Sequence, residues 1–336
     1  MSTISEEARA LHADAIVIDG CSFFSQGWHE RLAIAGVTAL QMTVPWPGDD
    51  FRRAVRRYQH YYRLVNEDAR LGLVTSTEDI RQFKREGRVG FILGSQDADI
   101  LETDPGLVEV YHRLGVRVIQ ISYNERNLLA DGCLEPTNAG LSRFGKAVIR
   151  EMNRVGIQVD LSHVGERSSL EAMDISTKPC IFSHSNPKAR ADNPRNITDE
   201  QIRRCAETGG VIGLSPWPPI CWTGGPNPPS LDDLIGHIEY VVDLVGIDHV
   251  AIGTDSEATP GAYPKELRTS LGATYGPVTG RFQETHPGVR HTAGFESMEG
   301  FPNLTAALLE RGWRPEDVRK LLGENLLRVY RESWGA

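Results

Sequence analysis

The chain has 336 residues, of which 40% are hydrophobic and 24% charged, and its formal net charge is −9 at pH 7. Because acidic and basic residues are interspersed, this charge argues against nucleic acid or an anionic membrane surface as the main partner. The N-terminal segment lacks the basic and apolar regions of a signal peptide, and no run approaches the roughly 20 apolar residues that span a bilayer, so we expect a cytoplasmic protein.

Eight short apolar runs, most of them separated by helical patterns, predict the strands of this protein. The runs are continuous stretches of Val, Ile and Leu, which is typical of parallel strands buried on both faces. The predicted strands are 15–20, 36–44, 89–96, 116–123, 157–163, 179–185, 210–216 and 249–256. Repeated alternation of strand and helix favours a closed (β/α)8 barrel, and the lack of GxGxxG after the first strand disfavours dinucleotide binding.

The segment after the last predicted strand differs from the rest of the chain. Residues 257–300 are rich in Gly, Pro, Thr and His, which predicts a long loop that forms a lid or an unstructured insertion. Helical patterns return over 301–333. No linker or change of composition marks a second domain, so we expect residues 1–336 to form a single barrel domain.

Polar and metal-binding residue types lie at the C-terminal ends of most predicted strands, where barrel enzymes carry their chemistry. These residues are Cys21, Gln96, Asp97, Tyr123, His163, His184 and Asp255. His163 and His184 are 21 residues apart, which is one strand–helix unit, so we expect them on neighbouring strands and able to share one cation. Two histidines with an oxygen ligand and a water suit catalytic zinc.

Each of these residues also has a structural interpretation. A histidine at a strand end is often only hydrogen-bonded, and Asp255 could simply cap the turn that follows it. Cys21 could be a small buried apolar residue, since five cysteines without CxxC spacing indicate neither a disulfide framework nor a structural zinc site. Gln96 could only hydrogen-bond a ligand. Two histidines at equivalent strand ends nevertheless favour a functional site.

Several segments of the chain resemble the membrane (renal) dipeptidase family of zinc peptidases. The similar segments are DLSHVGERS, IFSHSNPKAR, PRNITDE, HVAIGTDS and the closing FPNLTAALLERGW, and the resemblance covers essentially the whole chain. It implies a barrel metalloenzyme, usually with two bridged zinc ions, that cleaves dipeptides and often forms a homodimer. By position, it implies His163 and His184 as ligands of the second zinc and Asp255 as the residue that handles protons. Arg195, next to Asn196, is implied to bind the substrate carboxylate, a role suited to a forked guanidinium.

The chain departs from the family pattern at the positions that hold the first zinc. The family begins with Asp-Gly-His-Asn-Asp, whereas Cys21 replaces the histidine here and Phe23 replaces the second aspartate. Gln96 stands where the family has its bridging glutamate, and Tyr123 stands at a further family histidine. Two neighbouring dications need carboxylates to offset their repulsion. We therefore expect one zinc, held by the two histidines, with Gln96 and Cys21 as weak ligands.

The favoured function is hydrolysis of a dipeptide or another small amide by zinc-activated water. Asp255 would act as base and acid, Tyr123 would contact the substrate or take part in catalysis, and Arg195 with Asn196 would bind the substrate. One alternative is a non-hydrolytic acid–base enzyme, such as an isomerase or tautomerase, that uses Asp255, Tyr123 or His163. Another is a metal-free binding protein on the same barrel.

Overall fold

The computed structural model of the protein describes residues 4–23, 29–257 and 265–335. Its strands are β1 (Ile18–Phe23), β2 (Ala39–Thr43), β3 (Leu71–Leu73), β4 (Val89–Ser95), β5 (Val116–Gln120), β6 (Gln158–Asp160), β7 (Ile181–Phe182), β8 (Val211–Leu214), β9 (Val250–Ile252) and β10 (Ser256–Glu257).

The helices begin before the first strand and continue to the C-terminal end. They are α1 (Glu6–Asp14), α2 (His29–Ala35), α3 (Phe51–Glu67), α4 (Thr77–Glu86), α5 (Leu107–Arg113), α6 (Arg143–Val155), α7 (Glu166–Ile175), α8 (Asp199–Glu207), α9 (Pro218–Cys221), α10 (Leu231–Val245), α11 (Lys265–Thr285), α12 (Phe301–Glu310), α13 (Pro315–Arg319) and α14 (Asn325–Trp334). Short 3-10 turns occupy Asp99–Leu101, Ile247–His249 and Met298–Gly300, and a π-helical turn, Lys320–Glu324, joins α13 to α14. None of the helices within the described residues is both long and apolar enough to cross a membrane.

The strands form one parallel sheet that curls into a nearly closed barrel. The order of paired strands is β10-β1-β2-β4-β5-β6-β7-β8-β9, and β3 pairs beside β4 outside this path. The ends of the path meet, because β10 pairs with β1 while only residues 253–255 separate β10 from β9 along the chain. The predicted (β/α)8 barrel is therefore confirmed.

Neighbouring residues of a strand enter different hydrophobic cores, as the alternation of side chains along a strand requires. Ile181 and Val211 belong to a smaller core that packs against α14, whereas the next residues, Phe182 and Ile212, belong to the larger core shared with the helices. Ile181 and Val211 are the first residues of their strands. Helix α14 therefore packs at the N-terminal end of the barrel. The polar residues lie at the opposite end, where the strands have their C-terminal ends.

The prediction of a long loop after the last strand is wrong for much of its length. Helix α11 occupies Lys265–Thr285, and only residues 258–264 of the predicted loop lie outside the described residues. The sequence does not predict this helix because it contains glycines and a proline, and both residue types disfavour helix interiors. Val278 and Phe282 are buried, and the ring of Phe282 lies 5.7 Å from that of Trp222, so tertiary packing of one apolar face stabilises the helix.

The last predicted strand, 249–256, is divided into two pieces. A turn at residues 253–255 separates β9 from β10 and places Asp255 between them. A Cβ added at Gly253 would come within 1.9 Å of the backbone oxygen of Ser183, so glycine lets this turn lie directly against the end of β7. The short strand β3 did not appear in the sequence prediction, because three residues give no periodic signal.

Candidate active site

The ends of β6 and β7 bring His163 and His184 together. The two strands are neighbours in the barrel, with Asp160 paired to Ile181, and each histidine follows its strand by two or three residues. Both side chains are buried, and their Nε2 atoms lie 2.9 Å apart. The structure therefore places the two predicted ligands in direct contact at the C-terminal face of the barrel.

Hydrogen bonds on the far side of each ring determine where the imidazole protons lie. His163 Nδ1 is 2.7 Å from Asn124 Oδ1, an oxygen that can only accept. His184 Nδ1 is 2.7 Å from Ser183 Oγ, and the Ser183 hydroxyl donates its own hydrogen to Asp160 Oδ2 at 2.5 Å. With the Asn124 amide in this orientation, both Nδ1 atoms carry the hydrogen, and both Nε2 atoms present a lone pair to the space between the rings.

Electrostatics around the pair favours neutral imidazoles. Burial holds the pKa of His163 well below its usual value, and the positive charge of Arg195 and the neighbouring His184 act in the same direction. Burial and Arg195 likewise hold the pKa of His184 well below its usual value. Two neutral rings with facing lone pairs repel each other, whereas a cation bound by both nitrogens removes that repulsion.

Asp160 joins the two strand ends that carry the histidines. Its Oδ1 accepts hydrogen bonds from the backbone N–H groups of Ser162 at 3.0 Å and Ser183 at 3.1 Å, and its Oδ2 accepts from the Ser183 hydroxyl. The side chain is fully buried, and burial raises its pKa. Asp160 is not among the site residues predicted from the sequence, although an aspartate inside a predicted buried strand signals a specific role.

Asp19 has a similar position on the opposite side of the barrel. It accepts hydrogen bonds from the Thr254 backbone N–H at 2.8 Å, the Thr254 hydroxyl at 2.6 Å and the Cys21 backbone N–H at 3.2 Å. Burial raises the pKa of Asp19 to about 7. Asp19 therefore fixes β1 to the turn that carries Asp255.

A second cluster of side chains lies next to His184 and consists of Cys21, Gln96 and Asp255. The Gln96 amide donates to Cys21 Sγ at 2.8 Å, and Cys21 Sγ lies 3.8 Å from Asp255 Oδ1. One ligand atom each from Cys21, His184 and Asp255 lies within 4.8 Å of the other two. Burial, together with nearby carboxylates that include Asp255, raises the pKa of the Cys21 thiol well above its usual value.

Three residues of the site have left-handed backbone conformations that normally favour glycine. The φ angles are 57° at Asn124, 65° at His163 and 50° at Asp255. Asparagine, aspartate and histidine tolerate this region better than most residues, but it is still sparsely populated. Strained backbone conformations concentrate at functional sites, and here they turn the Asn124, His163 and Asp255 side chains toward the same end of the barrel.

Arg195 is buried beside the histidine pair. Its Nη1 donates to Ser185 Oγ at 2.8 Å, and its Nη2 donates to the backbone oxygen of His184 at 2.7 Å. Burial lowers its pKa, but a guanidinium stays charged in proteins. Arg195 also lines, with His163 and Asn196, a cavity of about 180 Å³.

Asn196 supports the loop that carries Arg195. Its side-chain amide donates to the backbone oxygens of Ala191 at 2.8 Å and Ile220 at 2.9 Å. Its Oδ1 accepts from the backbone N–H of Asn186 at 3.3 Å. Both amide hydrogens are therefore used within the protein, and this geometry favours a supporting role over the substrate contact expected from the sequence.

Aromatic side chains form part of the rim. The ring of Tyr123 stacks on that of His163 with 4.2 Å between centroids and 22° between planes. Tyr275 of α11 lies edge-on to Tyr123, with 6.1 Å between centroids. Helix α11, where the sequence pattern predicts a loop, thus contributes to the site.

Two further positions lie beside the site without joining the ligand group. Asp97 turns into its own loop, where its Oδ1 accepts from the Ala98 backbone at 2.6 Å and from Asn127 Nδ2 at 2.8 Å. Burial raises the pKa of Asp97 to about 7. Phe23 stacks on Trp46, with 6.0 Å between ring centroids. An apolar ring thus lies at the position where the resemblance implies an aspartate.

Comparison with known proteins identifies relatives over most of the chain. The model of the membrane dipeptidase family, peptidase family M19, matches residues 18–272 and 281–334. Dipeptidase tcpJ of Claviceps purpurea is 30% identical over 267 residues, which cover 78% of this chain and 55% of that protein. Dipeptidase verJ of Clonostachys rogersoniana is 31% identical over 263 residues, which cover 77% of this chain and 59% of that protein. The chain thus matches a little over half the length of these curated relatives.

Solved structures share the fold of this chain. An amidohydrolase from Pseudomonas aeruginosa has a TM-score of 0.89 and 37% identity, and the match covers 98% of this chain and 99% of that one. A metallopeptidase from Rhodobacter sphaeroides, liganded with a phosphinate mimic of the dipeptide L-Ala-D-Ala, has a TM-score of 0.78 and 19% identity, with 95% and 100% covered, which shows the shared fold. Because the family model matches most of its residues, the chain belongs to the membrane dipeptidase family, peptidase family M19.

Proposed function

We propose that this protein is a metal-dependent hydrolase that cleaves a dipeptide or a similar small amide with the help of one zinc ion. The observation that carries the proposal is the pair of buried imidazoles, at the C-terminal ends of neighbouring strands, whose Nε2 atoms lie 2.9 Å apart. Family membership supports the reaction class, and the relatives named dipeptidases support the substrate class.

The residues present fit a single zinc ion. Zinc binds neutral imidazole, thiolate and carboxylate groups in a tetrahedral arrangement. His163 and His184 supply two imidazole nitrogens, and Cys21 and Asp255 bring a sulfur and carboxylate oxygens close to His184. The neutral amide of Gln96 offers no charge to offset the repulsion between two dications, which supports one ion rather than two.

The side chains around the ion divide the remaining tasks of hydrolysis. A zinc ion, when bound, polarises a carbonyl group and activates water as a nucleophile. In the proposed reaction, the Asp255 carboxylate takes a proton from the attacking water and returns it to the leaving amine. Arg195 uses only part of its five N–H donors on Ser185 and His184, so further donors remain to bind a substrate carboxylate. Tyr123 covers one face of His163 and limits the space beside it.

Metal analysis together with product analysis tests the proposal. Purified protein is expected to contain about one zinc per chain, to lose activity on a panel of L,L- and L,D-dipeptides and small amides after chelation, and to regain activity with zinc. Hydrolysis in oxygen-18 water should label the released carboxylate. Turnover without label would indicate the non-hydrolytic acid–base enzyme instead. Carefully prepared protein with almost no metal, before or after zinc is added, would favour the metal-free binding protein.

Substitution of Arg195 by lysine tests its role in substrate binding. We expect KM to rise about 10- to 100-fold for dipeptides with a free carboxylate, because a charge-assisted pair worth about 1.5–3 kcal/mol is weakened. The same variant should change KM for C-terminally amidated substrates much less. The difference between the two substrate series separates carboxylate binding from any loss of stability at this buried position. Equal losses on both series would contradict the assignment.

A further inference from the structure

We propose that Cys21 binds the metal through its sulfur, together with His184, Asp255 and His163. This inference rests on the proposed function, because it names the ligands of the same site. It assigns a direct role to a residue that stands where the family has a histidine. Cys21 and Gln96, which replace family residues, then belong to a metal site with a different set of ligands.

The three ligand groups converge from separate parts of the barrel. Cys21 lies in β1, His184 follows β7, and Asp255 lies between β9 and β10. Their ligand atoms nevertheless lie within 4.8 Å of one another, and no other group of three or more such ligands occurs among the residues that the structure describes. Such convergence at the C-terminal strand ends, where barrel enzymes carry their chemistry, favours a ligand role over simple core packing for the Cys21 thiol.

The side-chain amide of Gln96 suits a sulfur ligand at Cys21, because it can donate a hydrogen bond to that sulfur. Its Nε2 donates a hydrogen bond to Cys21 Sγ at 2.8 Å. An amide donor stabilises negative charge on the sulfur, whereas a glutamate at the same position would place a second negative charge against it. The changes at Cys21 and Gln96 are therefore chemically complementary. Hydrogen bonds of this kind also orient ligands and tune the bound metal.

The charges of this ligand group suit a divalent ion in a buried site. Two neutral imidazoles alone leave the charge of a dication uncompensated, whereas one thiolate and one carboxylate offset it. A coordinated dication deprotonates a thiol ligand, and the displaced proton leaves to solvent. The carboxylate of Asp255 has two oxygens, so one can bind the ion while the other accepts a proton during hydrolysis.

Cobalt(II) is a suitable probe, because it takes the same ligands as zinc and its sulfur-to-metal charge-transfer absorption in the near ultraviolet reports thiolate ligation. Metal-free protein titrated with Co2+ is expected to bind about one ion and to develop this band. In the Cys21→Ser variant the band should disappear and Co2+ affinity should fall at least about 100-fold, since even residues that only support a ligand change affinity 10- to 100-fold.

Cys221→Ser is the matched control. Cys221 is also fully buried, but it lies in α9 and its backbone oxygen accepts from His237. This variant should keep the band and the wild-type affinity. If wild-type protein binds Co2+ without the band, and Cys21→Ser binds it equally well, the inference is overturned while the proposed function stands. If wild-type protein binds neither cobalt nor zinc, both are overturned.

Discussion

The His184→Ala variant is expected to lose both the metal and the hydrolytic activity. The Nε2 atom of His184 contacts that of His163. A ring nitrogen of His184 also lies near the sulfur of Cys21 and the carboxylate of Asp255. Both the histidine pair and the Cys21–Asp255 group therefore depend on this imidazole. Metal catalysis contributes several kcal/mol, and 1.36 kcal/mol corresponds to a tenfold change in rate. We therefore expect kcat/KM to fall by about 10³ or more, with zinc content close to zero.

His237→Ala serves as the control for this experiment. His237 is equally buried, but it lies on α10 and its Nε2 contacts the backbone oxygen of Cys221. That variant should lower the thermal midpoint of unfolding while keeping about one zinc per chain and most of the activity per folded molecule. If His184→Ala kept its zinc and lost less than about threefold in kcat/KM, a single-metal site that includes His184 would be refuted.

Replacement of Asp160 by alanine is expected to destabilise the protein and to weaken metal binding. The change removes the acceptor for the Ser162 and Ser183 backbone N–H groups and for the Ser183 hydroxyl. Leaving a buried donor without a partner costs about 1–3 kcal/mol, so the free energy of unfolding should fall by roughly 3 kcal/mol or more. Denaturant unfolding of the metal-free protein measures this loss separately from any contribution of bound metal.

Asp160→Asn separates the structural effect from the effect on the metal. The asparagine Oδ1 can still accept from the two backbone N–H groups, so most of the stability should remain. Its Nδ2 would donate to Ser183 Oγ, and the Ser183 hydroxyl would then donate to His184 Nδ1. His184 would carry its proton on Nε2, which is the atom needed as a ligand. Zinc affinity should therefore fall about 10- to 100-fold, and wild-type affinity in this variant would contradict the proton arrangement inferred for the pair.

The sequence was sufficient to predict the barrel and its pair of histidines. Continuous apolar runs alternating with helical patterns predict a parallel barrel because strands buried on both faces need little polar surface. The spacing of His163 and His184 equals one strand–helix unit, and strands joined in this way become neighbours. Periodicity and topology are thus local signals, and they suffice to place two residues at adjacent strand ends.

Helix α11 shows where local signals were insufficient. Glycines and a proline weaken its intrinsic helix propensity, so residues 257–300 were predicted as a loop. The helix is stabilised by burial of Val278 and Phe282 against other parts of the chain, which no window of local sequence contains. The contact between Tyr275 and Tyr123 follows from this placement.

The sequence by itself determined the barrel, the neighbouring histidines and the replacement of family ligands at Cys21 and Gln96. Only the tertiary structure decided how these residues are used: Asp160 and Ser183 orient His184, and Gln96 donates to the Cys21 sulfur. The physical reason is that a hydrogen bond depends on tenths of an ångström and on direction. Those quantities are fixed where strand ends that are far apart in the chain meet as the barrel closes.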